Sequence, residues 1–341
     1  MHIHSLTDFL DQAQCQYRIY DLGRKVQKIS ASEFKKVEQN QVPYPYPLQQ
    51  HAWLAVVFWQ VDKPEHYIWF LKLPLDERGL LLAGPQTHFI QLVVEALGAT
   101  LEQQPDEKQQ ERLANNPYTF KPAELKKAVF HAQLNLDLAR PASRYYEQAH
   151  AYFSGQLGWQ QWQQLGMQGI ADIAVRLKQD DNESHVINAL NQLPEPPLSM
   201  LLECLEHNDM TTRLAETLDE FARHNALSKP HLATLALRAM SSSKATGLRQ
   251  ALIKHQLTSP LNLDPQWFIA VAARCWQDLQ APELQQDYLE KLALVDNGQL
   301  FVQLFADLVA QPTLRASLLA AIRQPERSPA MSQAIGLLFQ Q

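Results

Sequence analysis

The sequence predicts an α+β domain followed by an all-helical repeat domain. The apolar pattern changes from a period of two to a period of 3.6 residues between about residues 85 and 122. A helix-pair pattern then recurs four times between Pro196 and Met331. Glycine is scarce, with 11 in 341 residues, which favours helices over glycine-rich β architecture.

The N-terminal domain is predicted to span residues 1–100 and to contain an antiparallel sheet. Its predicted elements are a helix at 5–14, strands at 16–20 and 25–29, a helix at 30–39, strands at 53–60, 67–73 and 80–83, and a helix after Gly84-Pro85. The strands at 53–60 and 67–73 are almost continuously apolar, which predicts a sheet covered on both faces. The polar residues 101–121 that follow are the predicted linker.

The repeat shows most clearly at one charged position in the first helix of each pair. This position is occupied by Glu203, Arg238, Arg274 and Asp307, with steps of 35, 36 and 33 residues. A period of 30 to 40 residues with helices and no strands is typical of a helix-hairpin solenoid. Each hairpin must stack on its neighbours to bury its apolar face. We therefore predict an all-helical repeat domain over residues 122–341.

The period and the loose consensus of these pairs are similar to HEAT-type helical repeats. Trp162 to Gly166 also matches the W-x₂-L-G opening of a tetratricopeptide repeat, but the later tyrosine and alanine positions hold Gly169 and Lys178. The HEAT-like resemblance implies an α-solenoid whose second helices line a concave surface.

A stretch with Trp53, Trp59 and Trp69, the length of 341 residues and the glutamine-rich helices support a second resemblance. In these respects the chain resembles an uncharacterised gammaproteobacterial protein family of unknown function. That resemblance implies no activity.

Catalytic and metal-binding signatures are absent from the sequence. It contains no GxxxxGK[ST], GxGxxG, GxSxG or HExxH motif. One ExxH runs from Glu147 to His150, but carboxylate di-iron bundles need two such motifs and two further glutamates. Three distant cysteines, Cys15, Cys204 and Cys275, indicate neither a disulfide framework nor a zinc site. A non-enzymatic protein is therefore favoured, and we expect no cofactor and no metal.

Charge and hydropathy indicate which partners and which cellular location to expect for the protein. The net charge is −6, and residues 101–341 hold 21 basic and 26 acidic residues. That balance argues against a nucleic-acid partner, since phosphate binding needs a basic surface. The N-terminus lacks the basic start of a signal peptide, and the longest apolar run, 52–59, is too short to cross a bilayer. We expect a cytoplasmic protein without membrane association.

The predicted function is that of an interaction or scaffold protein that binds a protein or peptide partner through its helical-repeat surface. Arg213, Arg249 and Arg315 lie early in second helices and are the predicted protein-binding residues. An ordinary solvated face with i,i+4 ion pairs is the competing interpretation of these positions. The alternative function is a nucleic-acid-acting enzyme of the HEAT-like glycosylase kind, which would need an acidic residue in a basic groove.

Overall fold

The computed structural model describes residues 5–61, 63, 65–97, 116–259 and 264–340. The chain forms two compact units. The first comprises Met1–Pro122 with Ala310–Pro312, and the second comprises Ala123–Val309 with Thr313–Gln341. An α+β unit followed by a helical unit agrees with the predicted fold class. Residues 101–115 of the predicted linker lie outside the described residues.

The first unit is built around a four-stranded antiparallel sheet. Its elements are α1 (Leu6–Gln12), β1 (Cys15–Asp21), β2 (Gln27–Ile29), α2 (Ala31–Glu38), β3 (His51–Gln60), β4 (Tyr67–Pro74) and α3 (Ala83–Leu97). The strand order is β2-β1-β3-β4, and Ala55 of β3 lies opposite both Tyr20 of β1 and Phe70 of β4. The sheet and the helices around it confirm the α+β prediction for this unit.

The strand predicted at 80–83 is replaced by a tight turn. Leu81 forms only an isolated bridge with Leu75, and α3 begins at Ala83. The Asp76 carboxylate accepts hydrogen bonds from the backbone N–H groups of Arg78 and Leu80, both at 2.8 Å. Gly79 takes the left-handed conformation that this turn needs, with φ of 82°. The chain reverses too soon for a ladder to form.

Both faces of β3 are buried, as the apolar run predicts. Leu54, Val56 and Phe58 belong to the core that also contains apolar residues of α1, α2 and α3. Ala55 and Val57, on the opposite face, are fully buried as well. On that face, the ring of Phe120 lies 4.9 Å from the ring of Trp53.

The described end of the predicted linker is part of the first unit. The Lys72 N–H donates to the carbonyl of Tyr118 at 2.6 Å, and the Phe120 N–H donates to the carbonyl of Phe70 at 3.1 Å. These bonds extend the hydrogen-bonding edge of β4.

The second unit consists of helices, and its described residues contain no strand. The helices are α4 (Glu124–Asp137), α5 (Tyr146–Phe153), α6 (Met167–Val175), α7 (Asn182–Ala189), α8 (Glu195–Leu205), α9 (Thr212–Asn225), α10 (Pro230–Ala239), α11 (Thr246–Thr258), α12 (Pro265–Arg274), α13 (Pro282–Leu292), α14 (Gln299–Val309), α15 (Arg315–Ala321) and α16 (Pro329–Leu338). Short 3₁₀ helices follow several of them.

In the parts of the chain that the structure describes, no single helix is long and apolar enough to cross a membrane. Pro282–Leu292 and Val295–Val309 pass that test only together, across a bend of 100°.

Local sequence explains where these helices begin. Proline occupies one of the first two positions of α10, α12, α13 and α16, where its missing N–H leaves no helical bond unmade. The Asp264 side chain caps α12 by accepting the Gln266 N–H at 2.7 Å, and Ser328 caps α16 through the Met331 N–H at 3.1 Å.

The helices of the second unit pack in two rows. In the first row, α4, α6, α8, α10, α12 and α14 each contact the next in that series. In the second row, α5, α7, α9, α11, α13 and α15 do the same. Helix α16 packs on α13 and α14. The charged positions that mark the repeat, Glu203, Arg238, Arg274 and Asp307, all lie in the first row.

A candidate binding cavity between helices α10 and α12

A buried carboxylate joins three successive helices of the first row. Glu206 follows the last residue of α8, and its side chain is 2% exposed. Its Oε2 accepts a hydrogen bond from Arg238 Nε, and its Oε1 accepts one from Arg274 Nε, each at 2.7 Å. Arg238 lies in the last turn of α10, and Arg274 is the last residue of α12. The three residues therefore meet because equivalent helix ends are stacked.

The same helix ends explain why these charges are stable together. A negative group at a helix C-terminus is disfavoured by the helix dipole, whereas arginines there are favoured. The backbone carbonyl of Glu206 also accepts a hydrogen bond from Ser242 Oγ at 2.7 Å. This bond holds the end of α8 against the turn that follows α10.

Glu206 is ionised at neutral pH. Burial alone would favour its neutral form, but Arg274, His207 and Arg238 outweigh burial and lower the pKa to about 2. Glu203 lies one turn earlier, and its pKa is raised, mainly by burial, with Arg238 and Arg274 opposing the shift. The guanidinium groups of Arg238 and Arg274 thus both donate to the ionised carboxylate of Glu206.

Each arginine keeps hydrogen-bond donors that Glu206 does not use. Within the described part of the chain, both Nη groups of Arg238 lack a hydrogen-bond partner. The Nη2 group of Arg274 lacks one there as well. Arg274 Nη1 makes one long bond, 3.4 Å, to the Ala273 carbonyl. Guanidinium groups bind carboxylates and phosphates through such paired N–H donors.

A cavity of about 390 Å³ lies between α10 and α12, and both arginines line it. Ligand cavities typically measure about 300 to 1,000 Å³. The apolar wall of the cavity consists of Leu235, Ile269 and Ala270. Ala273 lines the cavity beside Arg274. The alanines leave the space open because their side chains are short.

The opposite end of the cavity has a different polarity. His231, Asp264 and Gln266 line it there. Asp264 Oδ1 caps α12, and within the described residues Oδ2 has no hydrogen-bond partner. His231 Nε2 lies 2.9 Å from Glu195 Oε1. The cavity is therefore cationic at the C-terminal ends of α10 and α12, apolar in its middle and acidic near the helix starts.

The residues predicted to bind a partner do not form one surface. Arg213 is exposed on α9 and makes no ion pair with any described residue. Arg315 is half-buried, and its Nε donates to the Val309 carbonyl at 3.1 Å. Arg249 is 2% exposed.

The prediction that Arg249 belongs to an accessible surface is wrong. Its Nε and Nη2 donate to the two carboxylate oxygens of Asp278, at 2.5 and 3.0 Å. Its Nη1 donates to the carbonyls of Met240 and Ser243 at 3.0 and 2.9 Å. Arg249 thus satisfies the carbonyls that follow α10 and pairs with the buried carboxylate of Asp278.

The ExxH segment lies away from this cavity. His150 Nε2 is 3.0 Å from the Asp180 carbonyl, and the His150 and His185 rings are 5.1 Å apart. Among the residues that the structure describes, no group of three or more His, Cys, Asp or Glu side chains is placed to hold a metal ion. The cysteines Cys15, Cys204 and Cys275 are free and buried.

A sequence signal for the cavity exists in the repeat itself. Arg238 and Arg274 occupy the same position in consecutive units, whereas Glu203 and Asp307 hold that position on either side. Of the four units, the second and third are therefore the neighbours that both place a cation at this position.

A family model matches residues 1–339, nearly the whole chain. The chain belongs to the DUF3549 family. The family is described as proteins of unknown function, and this confirms the predicted membership of an uncharacterised family. No curated protein and no solved structure matches this DUF3549 chain.

Proposed function

We propose that this DUF3549 protein is a non-enzymatic interaction protein of the cytoplasm. In this proposal, a HEAT-like helical solenoid binds a protein partner at the cavity between α10 and α12. The observation that carries the proposal is the pair Arg238 and Arg274, which share Glu206 and keep further donors at the cavity wall. The three free, buried cysteines suit a reducing compartment.

The solenoid part of the proposal is supported by the packing order. Each helix of a row contacts the next helix of the same row, about one period further along the chain. Such nearest-neighbour stacking is the arrangement of helical-repeat proteins, which use extended surfaces for binding.

Preorganisation supports the choice of this cavity. Ordering a long side chain on binding costs free energy, and an arginine that is already fixed loses less. Glu206 fixes both Nε atoms in the free protein. Arginine is also enriched among residues that contribute most to protein interfaces. The exposed Arg213 has no such support.

The glycosylase-like alternative gains no support from this cavity. Two carboxylates lie beside the two arginines, those of Glu203 and Glu206. A third, that of Asp264, lines the opposite end of the cavity. Nucleic-acid binding needs an excess of cations over acids along a surface. A protein segment with charges of both signs fits the arrangement better.

The proposal is tested by substituting one alanine of the cavity wall. Ala273→Glu places a carboxylate beside the two arginines, so that the protein occupies its own site. Ala306→Glu is the matched control, since Ala306 is exposed and precedes Asp307 as Ala273 precedes Arg274. We expect a tagged chain from the native host to retain its protein partner with Ala306→Glu and to lose it with Ala273→Glu.

The captured partner is then purified. Its binding to the wild type, to Ala273→Glu and to Ala306→Glu is measured by titration. Equal binding by the wild type and a folded Ala273→Glu variant would place the binding surface elsewhere. Circular dichroism and thermal unfolding establish that both variants are folded.

A further inference from the structure

The order of polar and apolar groups along the cavity restricts what can occupy it. The cationic end lies near Arg238 and Arg274, and the acidic end lies near Asp264 and His231. Arg238 follows His231 by seven positions, and Arg274 follows Asp264 by ten. At 1.5 Å per helical residue these ends are about 10 to 15 Å apart.

An extended peptide has a spacing that matches this distance. Successive residues of an extended chain advance about 3.3 Å, and side chains at i, i+2 and i+4 lie on one face. The first and last of these three side chains are therefore about 13 Å apart. The apolar wall made by Leu235, Ile269 and Ala270 lies between the two ends.

We infer that the cavity recognises an extended segment of a partner protein with an acidic, an aliphatic and a basic side chain at alternate positions. The carboxylate of the acidic residue accepts hydrogen bonds from the free Nη groups of Arg238 and Arg274. The aliphatic residue packs between α10 and α12, and the basic residue pairs with Asp264. This inference rests on the proposed function and names the chemistry of the partner at the same site.

The dimensions favour a protein segment over a small anion or a folded surface. The cavity of about 390 Å³ has room for a few side chains only. A small anion would use the two arginines but leave the apolar wall and Asp264 without a partner. Charges of opposite sign at the two ends also discriminate against segments that are acidic throughout, because such a segment would place a carboxylate beside Asp264.

The test uses the full chain and fluorescein-labelled peptides with capped ends. The matched peptide carries Glu, Leu and Lys at alternate positions separated by serines, and a second peptide carries them in reverse order. Three control peptides replace Glu by Gln, Leu by Ser, or Lys by Glu. Binding is measured by fluorescence anisotropy with the wild type, Ala273→Glu and Ala306→Glu.

We expect one of the two matched peptides to bind and the Gln peptide to bind at least about tenfold more weakly, because hydrogen bonds to charged groups are lost. Ala306→Glu should bind as the wild type does, and Ala273→Glu should bind at least about tenfold more weakly. Arg274→Lys, which keeps the charge but not the planar pair of donors, should also weaken binding.

Three results would overturn the inference. The first is that neither matched peptide binds at concentrations up to about 1 mM. The second is equal binding of the matched and Gln peptides, or binding that Ala273→Glu leaves unchanged. The third is that free glutarate binds the wild type as tightly as the better peptide, which would assign the arginines to a small carboxylate.

Failure of this inference is distinguishable from failure of the proposed function. If the peptides do not bind but partner capture still depends on Ala273, only the segment chemistry is wrong. If neither peptide binding nor partner capture responds to Ala273→Glu, both are wrong.

Discussion

Arg238 and Arg274 lie 36 residues apart and donate their Nε–H groups to the same carboxylate, that of Glu206, at equal distances of 2.7 Å. The arrangement follows from periodicity, because stacked helices bring the same position of consecutive units together. It joins the ends of α8, α10 and α12 and orients the wall of the cavity. The same three residues therefore contribute to both stability and the proposed binding.

Glu206→Gln should destabilise the protein by about 3–5 kcal/mol at pH 7, since it leaves two partly buried arginines without their carboxylate. Because the folded-state pKa of Glu206 is about 2, below its ordinary value of 4.5, its contribution is present above pH 4.5. The difference between the wild type and Glu206→Gln should shrink as the pH falls from 4.5 to about 2. Urea unfolding at several pH values measures it.

The control for this prediction is Glu216→Gln, because Glu216 is exposed on α9. Its effect should stay within about 0.5 kcal/mol. Equal stabilities of the wild type and Glu206→Gln at pH 7 would contradict the account of the cluster.

Arg249 should behave as an interior residue. Arg249→Ala leaves Asp278 buried and unpaired, so we expect a loss of about 3–5 kcal/mol in the free energy of unfolding. Arg213→Ala, on the exposed face of α9, should change it by no more than about 0.5 kcal/mol. Chemical unfolding of the two variants makes the comparison. Similar small effects at both positions would mean that Arg249 is solvated after all.

Glu38 should make the first unit less stable as the pH rises. Its carboxylate accepts hydrogen bonds from the backbone N–H groups of Leu6 and Thr7 and from Gln86 Nε2, which joins α1, α2 and α3. Burial nevertheless raises the pKa of Glu38 to about 7, from 4.5. The folded state thus binds the proton more tightly, and the contribution of Glu38 falls as the pH rises from 4.5 to 7.

The variant that checks this is Glu38→Gln, which cannot ionise. We expect a flatter dependence of unfolding free energy on pH between 4.5 and 7, by an amount on the order of 3 kcal/mol. Glu33→Gln, at an exposed position of α2, should leave the dependence unchanged. A wild-type curve as flat as that of Glu38→Gln would be inconsistent with a buried, protonated Glu38.

Trp276→Ala should destabilise the helical unit by about 3–5 kcal/mol, as truncation of large core side chains does. Trp276 is 3% exposed and lies in the 3₁₀ helix Trp276–Gln280 between α12 and α13. Phe339→Ala should have little effect, since Phe339 is 77% exposed. Thermal unfolding measures both, and a shift of only one or two degrees for Trp276→Ala would indicate an exposed indole.

Local patterns predict most of the helices and strands of this chain. The strands β3 and β4 follow from apolar runs, and the starts of α12 and α16 follow from Asp264 and Ser328 with the prolines after them. The strand predicted at 80–83 failed because the Asp76 turn competes with strand pairing. Hydropathy alone does not report such side-chain hydrogen bonds.

The candidate site depends on relations that lie far apart in the sequence. Arg249 appears as one more charge on an amphipathic helix, and only the position of Asp278, 29 residues later, makes it an interior residue. The cavity similarly needs the separation of α10 and α12, which no local pattern specifies. The sequence nevertheless indicates part of the site, because Arg238 and Arg274 share one position of the repeat.

Site-specific photo-crosslinking in the native host tests the central claim most directly. A benzoylphenylalanine is introduced in place of Ile269, on the cavity wall, and in a second chain in place of Gln303, an exposed position of α14. We predict a defined protein adduct from position 269 that is absent from position 303 and is abolished when Ala273→Glu is added. A nucleic-acid adduct, no adduct at position 269, or an adduct that persists with Ala273→Glu would contradict it.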